Sequence, residues 1–377
     1  MMKLSRIPET ISYDGAELAA HAEKTSGDKE LLATLKNKAE NYLKKDSADV
    51  TKRRIKADNG DPHEYASMGP YWWPNPNTEN GLPYVRKDGE VNPETKEPNG
   101  FGEVFNSVKF LTLAAYYFDE PKYAEKAVKN IRAWYLDPET SMNPRLEYAQ
   151  FIPGICKGRG IGIIDSHGSH ELFDSVALLY AMDMMSESDV LALKEWYNKL
   201  TDWMLTSENG VDEDRQHNNH GTWYDVQIAS AALFTGRRIL AERTLSLAYE
   251  RRILKHITAD GKQPYELART HAIGYSTMNL KALMLIARIA KKAGCKMDMW
   301  HEVRADGSIA LKSALDYLSQ YATDLTGFEY QEISGKPSTA GCAELLTMAA
   351  REYPDEKYYE RACGLYTPDM LFRLLPV

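Results

Sequence analysis

The chain has 377 residues, 43% of them hydrophobic and 27% charged, enough apolar material for one large domain or two conventional ones. Its formal net charge of −8, pI of about 5.7 and lack of any long basic run argue against nucleic acid as a partner. An acidic protein that binds a polyanion has to gather its positive groups locally, in a cleft. No apolar stretch is long enough to span a bilayer, and Met1-Met2-Lys3-Leu4-Ser5-Arg6 lacks the apolar region of a signal peptide. The four cysteines, Cys156, Cys295, Cys342 and Cys363, are too widely spaced for a zinc site or a redox pair.

Residues 16–45 read as helical: Leu31, Leu32, Leu35, Ala39, Tyr42 and Leu43 recur with the helical period, and lysines take the other face. From 56 to 100 the pattern gives way to a Gly-, Pro- and Asn-rich segment. A loop this long is usually functional or disordered, and its aromatics, Tyr65, Tyr71, Trp72, Trp73 and Tyr84, predict order. Helical hairpins follow: 104–118 with 122–136, 171–185 with 188–205, and 222–234 with 237–256. Helices at 272–293, 308–321, 342–351 and 356–363 complete the pattern. Short turns between long amphipathic helices make antiparallel neighbours. The expected fold is therefore all-α, an (α/α) toroid or incomplete barrel of helical hairpins, forming a single domain over 1–377.

The linkers alternate in character. Those at 65–86, 143–170, 212–223 and 263–275 are long and hold most of the unusual residues, as a barrel with one functional face would require. Overlapping 212–223, a polar loop over 207–216 ends in His217-Asn218-Asn219-His220-Gly221-Thr222-Trp223-Tyr224, at the mouth of a helix. Two imidazoles and two amides there, with the helix's own unpaired N–H groups, can bind an anion; a plain polar N-cap is the simpler use of the same asparagines. Gly158-Arg159-Gly160-Ile161-Gly162 lacks a Gly-Lys-Ser/Thr ending and a preceding strand, which disfavours a nucleotide loop. Glycines that let the backbone approach a ligand, or a mere turn, remain the two readings. Glu266-Leu267-Ala268-Arg269 leads into the helix that carries Tyr275.

Several of these stretches together resemble one family. They are Tyr65-Ala66-Ser67-Met68-Gly69-Pro70-Tyr71-Trp72-Trp73-Pro74, Asn92-Pro93-Glu94, Leu136-Asp137-Pro138 to Asn143-Pro144, Gly158-Arg159-Gly160-Ile161-Gly162-Ile163-Ile164-Asp165, and Asn218-Asn219-His220-Gly221-Thr222-Trp223-Tyr224-Asp225. In this order, over about 30–350, they are similar to the alginate lyase domain family of α/α-toroid polysaccharide lyases. The resemblance implies β-elimination on an acidic polysaccharide, alginate or glucuronan, without an organic cofactor or a catalytic metal, in a periplasmic or secreted enzyme. Two departures stand out. Ser166-His167 and His170 occupy positions where arginine is frequent, and the Arg269–Tyr275 interval is one residue shorter than in the better-known alginate lyases.

The residue types suit that chemistry. Removing the C5 proton of a uronate turns its carboxylate neighbour into part of a dianion, so the carboxylate must be neutralised and the enolate stabilised. Asn219, His220 and Arg269 offer an amide, an imidazole and a planar guanidinium fork for this. Tyr275 is the expected acid, and also the base where H5 and O4 share a face of the ring, as in mannuronate or glucuronate. For guluronate, His220 would be the base. A tyrosine of pKa about 10 needs a cation nearby to serve.

The expected substrate contacts are Tyr65, Tyr71, Trp72, Trp73 and Trp223, with Arg145, Gln150, Arg159 and His167 for distal groups. The alternatives are an inverting glycoside hydrolase, which needs two carboxylates about 6.5–9.5 Å apart, with Asp165, Asp212, Asp225 and Glu266 available, and an inactive polysaccharide-binding protein.

Overall fold

Helices form where the apolar period runs and stop where the chain supplies a cap. The computed structural model describes all of residues 1–377, with fifteen α-helical segments and four very short strands. The expected continuous helix over 16–45 is two: α1 (Leu18–Thr25) and α2 (Lys29–Lys44). Asp28 makes the break, its side chain accepting from the Leu31 N–H at 3.1 Å, an N-cap that starts a new helix.

The chain folds as two compact units. The first holds Met1–Glu213, Ser230–Gly236 and Arg373–Pro376; the second holds Asp214–Ala229, Arg237–Phe372 and Val377.

In the first unit the aromatic segment after α2 is ordered, as its composition predicts. β1 (Ala66–Met68) runs parallel to a later strand, β2 (Trp72–Trp73) pairs antiparallel with β3 (Val85–Arg86), and α3 (Phe101–Phe118) follows. Asp119, in the left-handed conformation at φ 55°, ends α3, and Pro121 opens α4 (Pro121–Ile131), since proline's missing N–H does no harm in a first turn. A π-helical turn, Arg132–Leu136, extends α4.

β4 (Tyr148–Phe151) pairs with β1, Ala66 opposite Tyr148 and Met68 opposite Phe151, so β4 carries one extra residue. Gln150 lies in this bulge with φ 48°. α5 (Ser169–Ala181), α6 (Glu187–Thr206) and α7 (Glu208–Asp214) complete the run. The last replaces most of the expected polar loop over 207–216: its sequence, ENGVDED, has no apolar face to betray it.

The core of this unit is aromatic. Phe101 sits 4.8 Å from Tyr65 and 5.6 Å from Trp134, and Phe173 stacks on Phe234 at 4.4 Å.

The second unit is built round one long helix. It contains α8 (Asn219–Phe234) as far as Ala229, the rest of that helix belonging to the first unit, and then α9 (Arg238–Ala248), a π-helical turn Tyr249–Ile253, α10 (Leu254–His256) and α11 (Pro264–Leu267). α12 (Ala272–Ala293) packs on α9 and α11, and on α13 (Ala310–Ser319) and α14 (Thr339–Ala350); α15 (Tyr358–Cys363) covers α14. Leu280, Leu283, Met284, Ile286 and Ile289 of α12 are fully buried, each stabilising the fold by about 1.5–3 kcal/mol. Gly294 at φ 78° ends α12, where a left-handed residue closes the last turn. All four cysteines are free.

Candidate active site

α8 opens directly onto the site. Asn218 caps it, its Oδ1 accepting from the His220 N–H at 3.1 Å. The two uses of the motif are thus divided between its two asparagines, because Asn218 fills the cap and Asn219 is left for other work. Gly221 has to be glycine, since a Cβ there would run into the Gln216 carbonyl and the Arg252 guanidinium.

Asn219 is 1% exposed, and so is Glu266 of α11. The Asn219 backbone N–H donates to Glu266 Oε1 at 2.6 Å, and its Nδ2 donates to Oε2 at 2.7 Å. This bidentate grip fixes the amide plane. Nδ2 keeps a second N–H, because a carboxamide carries two donors. Asn219 Oδ1 is buried without a hydrogen-bond partner, which is rare in a finished core and ordinary where a ligand completes the set. Burial pushes the Glu266 carboxyl up, against the two Asn219 hydrogen bonds and the positive charges of Arg269 and His220.

Arg269 lies between α11 and α12, as the sequence spacing predicts. Its N–H donates to the Glu266 carbonyl at 3.0 Å, and its guanidinium carbon stands 4.0 Å from the centre of the Tyr275 ring. A cation held over a tyrosine ring is attracted to its face and favours any negative charge that develops on the phenol. Tyr275 occupies the first turn of α12, its backbone N–H on the His271 carbonyl at 3.0 Å. Asn219, Glu266, Arg269 and Tyr275 are therefore one linked constellation, with His220 next to Asn219 on α8.

Behind it lies a polar core. Thr222 Oγ1 meets His256 Nδ1 at 3.1 Å, and Asn279 Nδ2 donates to Gln263 Oε1 at 2.8 Å. Burial pushes His256 down to about 4, with the Arg252 charge acting in the same direction. Arg252, on the π-helical turn, donates to Asp225 Oδ2 and to the carbonyls of Gln216 and Asp214, each at 2.8 Å. It ties the lead-in of α8 to the helix itself.

The first unit holds the other residues singled out from sequence, except Trp223, which lies on α8 in the second, and here the structure corrects several expectations. Tyr65 is 5% exposed and Trp223 2% exposed; both rings are packed inside, so neither is a platform for a sugar. Tyr65 instead donates its hydroxyl to Asp165 Oδ2 at 3.0 Å. Ser67 donates to the same oxygen at 2.5 Å, and Gln150 Nε2 to Oδ1 at 2.8 Å. Gln150 then holds Arg159, whose Nε and Nη2 donate to its carbonyl and Oε1 at 3.0 and 2.9 Å.

The glycines of 158–162 do not bring backbone to a ligand. A Cβ at Gly158 would strike the Glu147 carbonyl, at Gly160 Asp212 and Asn209, and at Gly162 Ala149; the protein itself fills those places. Arg145 pairs with the fully buried carboxylate of Glu64. His167 Nδ1 meets the Ile164 carbonyl at 2.7 Å. Tyr71, Trp72 and Trp73 are half-buried; Trp73 Nε1 donates to the Glu90 carbonyl at 3.0 Å, and Lys87 lies 4.9 Å from the Trp73 ring.

Three of the four carboxylates considered for a hydrolase are engaged within the protein. Asp165 is occupied at both oxygens, Glu266 is clamped by Asn219, and Asp225 is buried against Arg252. Sequence reasoning named Glu266 only for that rival chemistry and missed its partnership with Asn219. It also missed Glu332, which meets His271 Nδ1 at 2.8 Å. No spacing rule joins residues so far apart; only the position of Glu266 three residues before Arg269 could have drawn attention to it.

Comparison with known proteins agrees with this geometry. The sequence profile described as alginate lyase matches residues 49–328. The crystal structure of an alginate lyase from Bacteroides ovatus is similar at a TM-score of 0.92 with 36% identity, covering 98% of this chain and all of that one. Alginate lyase A1-III, solved with a tetrasaccharide, is similar in fold at a TM-score of 0.60 and 14% identity, covering 98% and 97%. No curated protein sequence matches. The chain is thus a polysaccharide lyase of the all-α, α/α-toroid class. It belongs to the alginate lyase family.

Proposed function

We propose that the enzyme cleaves a 1,4-linked uronate polymer, alginate rich in mannuronate or glucuronan, by β-elimination. The observation that carries the reading is the Arg269 guanidinium 4.0 Å from the centre of the Tyr275 ring, beside an Asn219 amide locked by Glu266. The second N–H of Asn219, the His220 imidazole and Arg269 neutralise the substrate carboxylate, which lowers the cost of carbanion formation at C5. Tyr275, as phenolate, removes H5; the electron pair left on C5 forms the C4–C5 double bond as the C4–O4 bond breaks. The same hydroxyl then returns its proton to O4. One group can do both because H5 and O4 lie on one face in mannuronate and glucuronate. On guluronate, His220 takes H5 and Tyr275 only protonates O4.

Within the first unit, Tyr71, Trp72 and Trp73 offer ring faces to sugars, and Arg145 and His167 offer donors to distal carboxylates, whereas Gln150 and Arg159 are spent on the Asp165 cluster. No helix is long and apolar enough to cross a membrane. A polymer too large to enter a cell fits a periplasmic or secreted enzyme.

The test is a substrate panel of polymannuronate, polyguluronate and glucuronan, read by the ultraviolet absorbance of the unsaturated uronate end. Absorbance should rise on polymannuronate or glucuronan. Reducing ends without absorbance, or an untouched polymer in every case, would overturn the proposal. His220→Ala then assigns the base: activity on guluronate should vanish, while some survives on the other two.

A further inference from the structure

The helix that carries Tyr275 begins with N–H groups that cannot bond within the helix, as every helix does. At α12 two of them are met from a segment some sixty positions later. The Ala272 N–H donates to the Gln331 carbonyl at 3.1 Å, and the Ile273 N–H donates to Glu332 Oε2 at 3.1 Å. The Ile333 N–H donates back to the Thr270 carbonyl at 2.9 Å, so 331–333 bridges 270–272 in antiparallel fashion.

Glu332 Oε1 accepts from His271 Nδ1 at 2.8 Å and from Ser334 Oγ at 2.8 Å. The Glu332 side chain is 4% exposed, that of His271 30%. Thr270, His271, Ala272 and Ile273 are therefore each gripped, and they are the stretch between Arg269 and Tyr275. A buried carboxylate at a helix N-terminus is also favoured by the helix dipole.

We infer that Glu332 is a positioning residue for the elimination: by clamping His271 and the start of α12 it sets the Arg269 guanidinium against the Tyr275 ring. This rests on the role proposed for Tyr275. Glu332 touches neither residue. It acts through the backbone of 270–273 and through the His271 imidazole, whose Nδ1–H it fixes as donor. A shift of the helix start by a fraction of an ångström moves the phenol relative to the guanidinium, and misplacement of about 1 Å can cost about a hundredfold in rate.

The experiment compares Glu332→Gln, His271→Ala, His271→Asn and the Glu332→Gln/His271→Ala double variant, with kcat and KM expressed per folded molecule from thermal unfolding. Gln cannot accept from both His271 and Ile273 as the carboxylate does, so kcat should fall about tenfold with KM within about twofold of wild type. His271→Ala should fall as far. The double variant should fall no further than the worse single one, because both break the same clamp. His271→Asn keeps a donor near the Nδ1 position and should recover most of the loss.

An unchanged kcat in folded Glu332→Gln overturns the inference. So does a His271→Asn variant as impaired as His271→Ala with a raised KM, which would make His271 a substrate contact. Tyr275→Phe, assayed in parallel, separates the two claims. Wild-type activity there defeats the role of Tyr275 itself, whereas an inactive Tyr275→Phe beside an unaffected Glu332→Gln defeats only the clamp.

Discussion

Asp165 in the first unit and Glu266 in the second are both carboxylates at the centre of a polar cluster, but the two clusters are finished differently. Around Asp165, two hydroxyls and an amide donate to its oxygens, and the amide's own oxygen holds Arg159. Around Glu266, both oxygens serve a single residue, Asn219, whose remaining oxygen has no partner. A network with every group satisfied rigidifies a fold; one with a buried group left over awaits something else. The same residue types therefore do different work. Asp165 holds a bulged strand to its neighbour, and Glu266 holds one amide in a single attitude for a ligand.

The largest test of that contrast is Tyr275→Phe. It keeps the ring against Arg269 and removes only the proton, and kcat should drop by at least about a hundredfold, as loss of general acid–base catalysis does. Near-wild-type turnover in a folded variant would point instead to Tyr265, which is 51% exposed and stacked near His217.

Next comes acid stability, through His256 behind the second cluster. Its folded value lies near 4 against an ordinary 6.5, so the neutral ring favours the fold. That contribution is present above about pH 6.5 and is lost as pH falls from there toward 4, amounting to roughly 3 kcal/mol. Denaturant midpoints measured from pH 7.5 to 4 should fall more steeply for wild type than for His256→Gln. Parallel curves would refute the assignment.

Glu266→Gln should cost catalysis about tenfold, since an amide N–H then faces an Asn219 donor and one of the two bonds is lost. Asp165→Asn should do the reverse, lowering stability by about 1–3 kcal/mol with kcat within about twofold. If kcat fell as far in Asp165→Asn as in Glu266→Gln, the distinction between the clusters would collapse. The smallest effect is expected at Trp73. If its ring carries a sugar, Trp73→Ala should raise KM several-fold and spare kcat, whereas an unfolded variant would make it an anchor for β3 and the Glu90 turn.

The fold was legible wherever local signals agreed. The helix predicted at 272–293 has the observed bounds, because its apolar period ends at a glycine that the chain needs at positive φ. The break at Asp28 was hidden because the apolar period continues on both sides of it, and α7 was hidden because an acidic turn of helix has no apolar stripe. Asn219 and His220 stood out through a short, specific motif, whereas Arg269 and Tyr275 lie in no such motif and were singled out by what the family resemblance implies. The structure gathers Asn219, Arg269 and Tyr275 around Glu266. Glu266 and Glu332 could not be assigned their partners, since hydrogen bonds across 47 and 61 positions leave no spacing to read. Tyr65 and Trp223 were misjudged for a related reason: an aromatic in a motif is equally at home in a core.

The π-helical turn at Tyr249–Ile253 makes chain length itself a constraint. It accommodates one residue more than an α-helical turn, and each residue rotates the following side chains by about 100°. Arg252 reaches Asp225 and the carbonyls of Asp214 and Gln216 from within that turn. Deleting one residue from 249 to 251 would let the helix close regularly and would swing the Arg252 guanidinium away from its carboxylate. Tyr249, Arg252 and Ile253 are buried, so the stretch is constrained in count as well as in residue type.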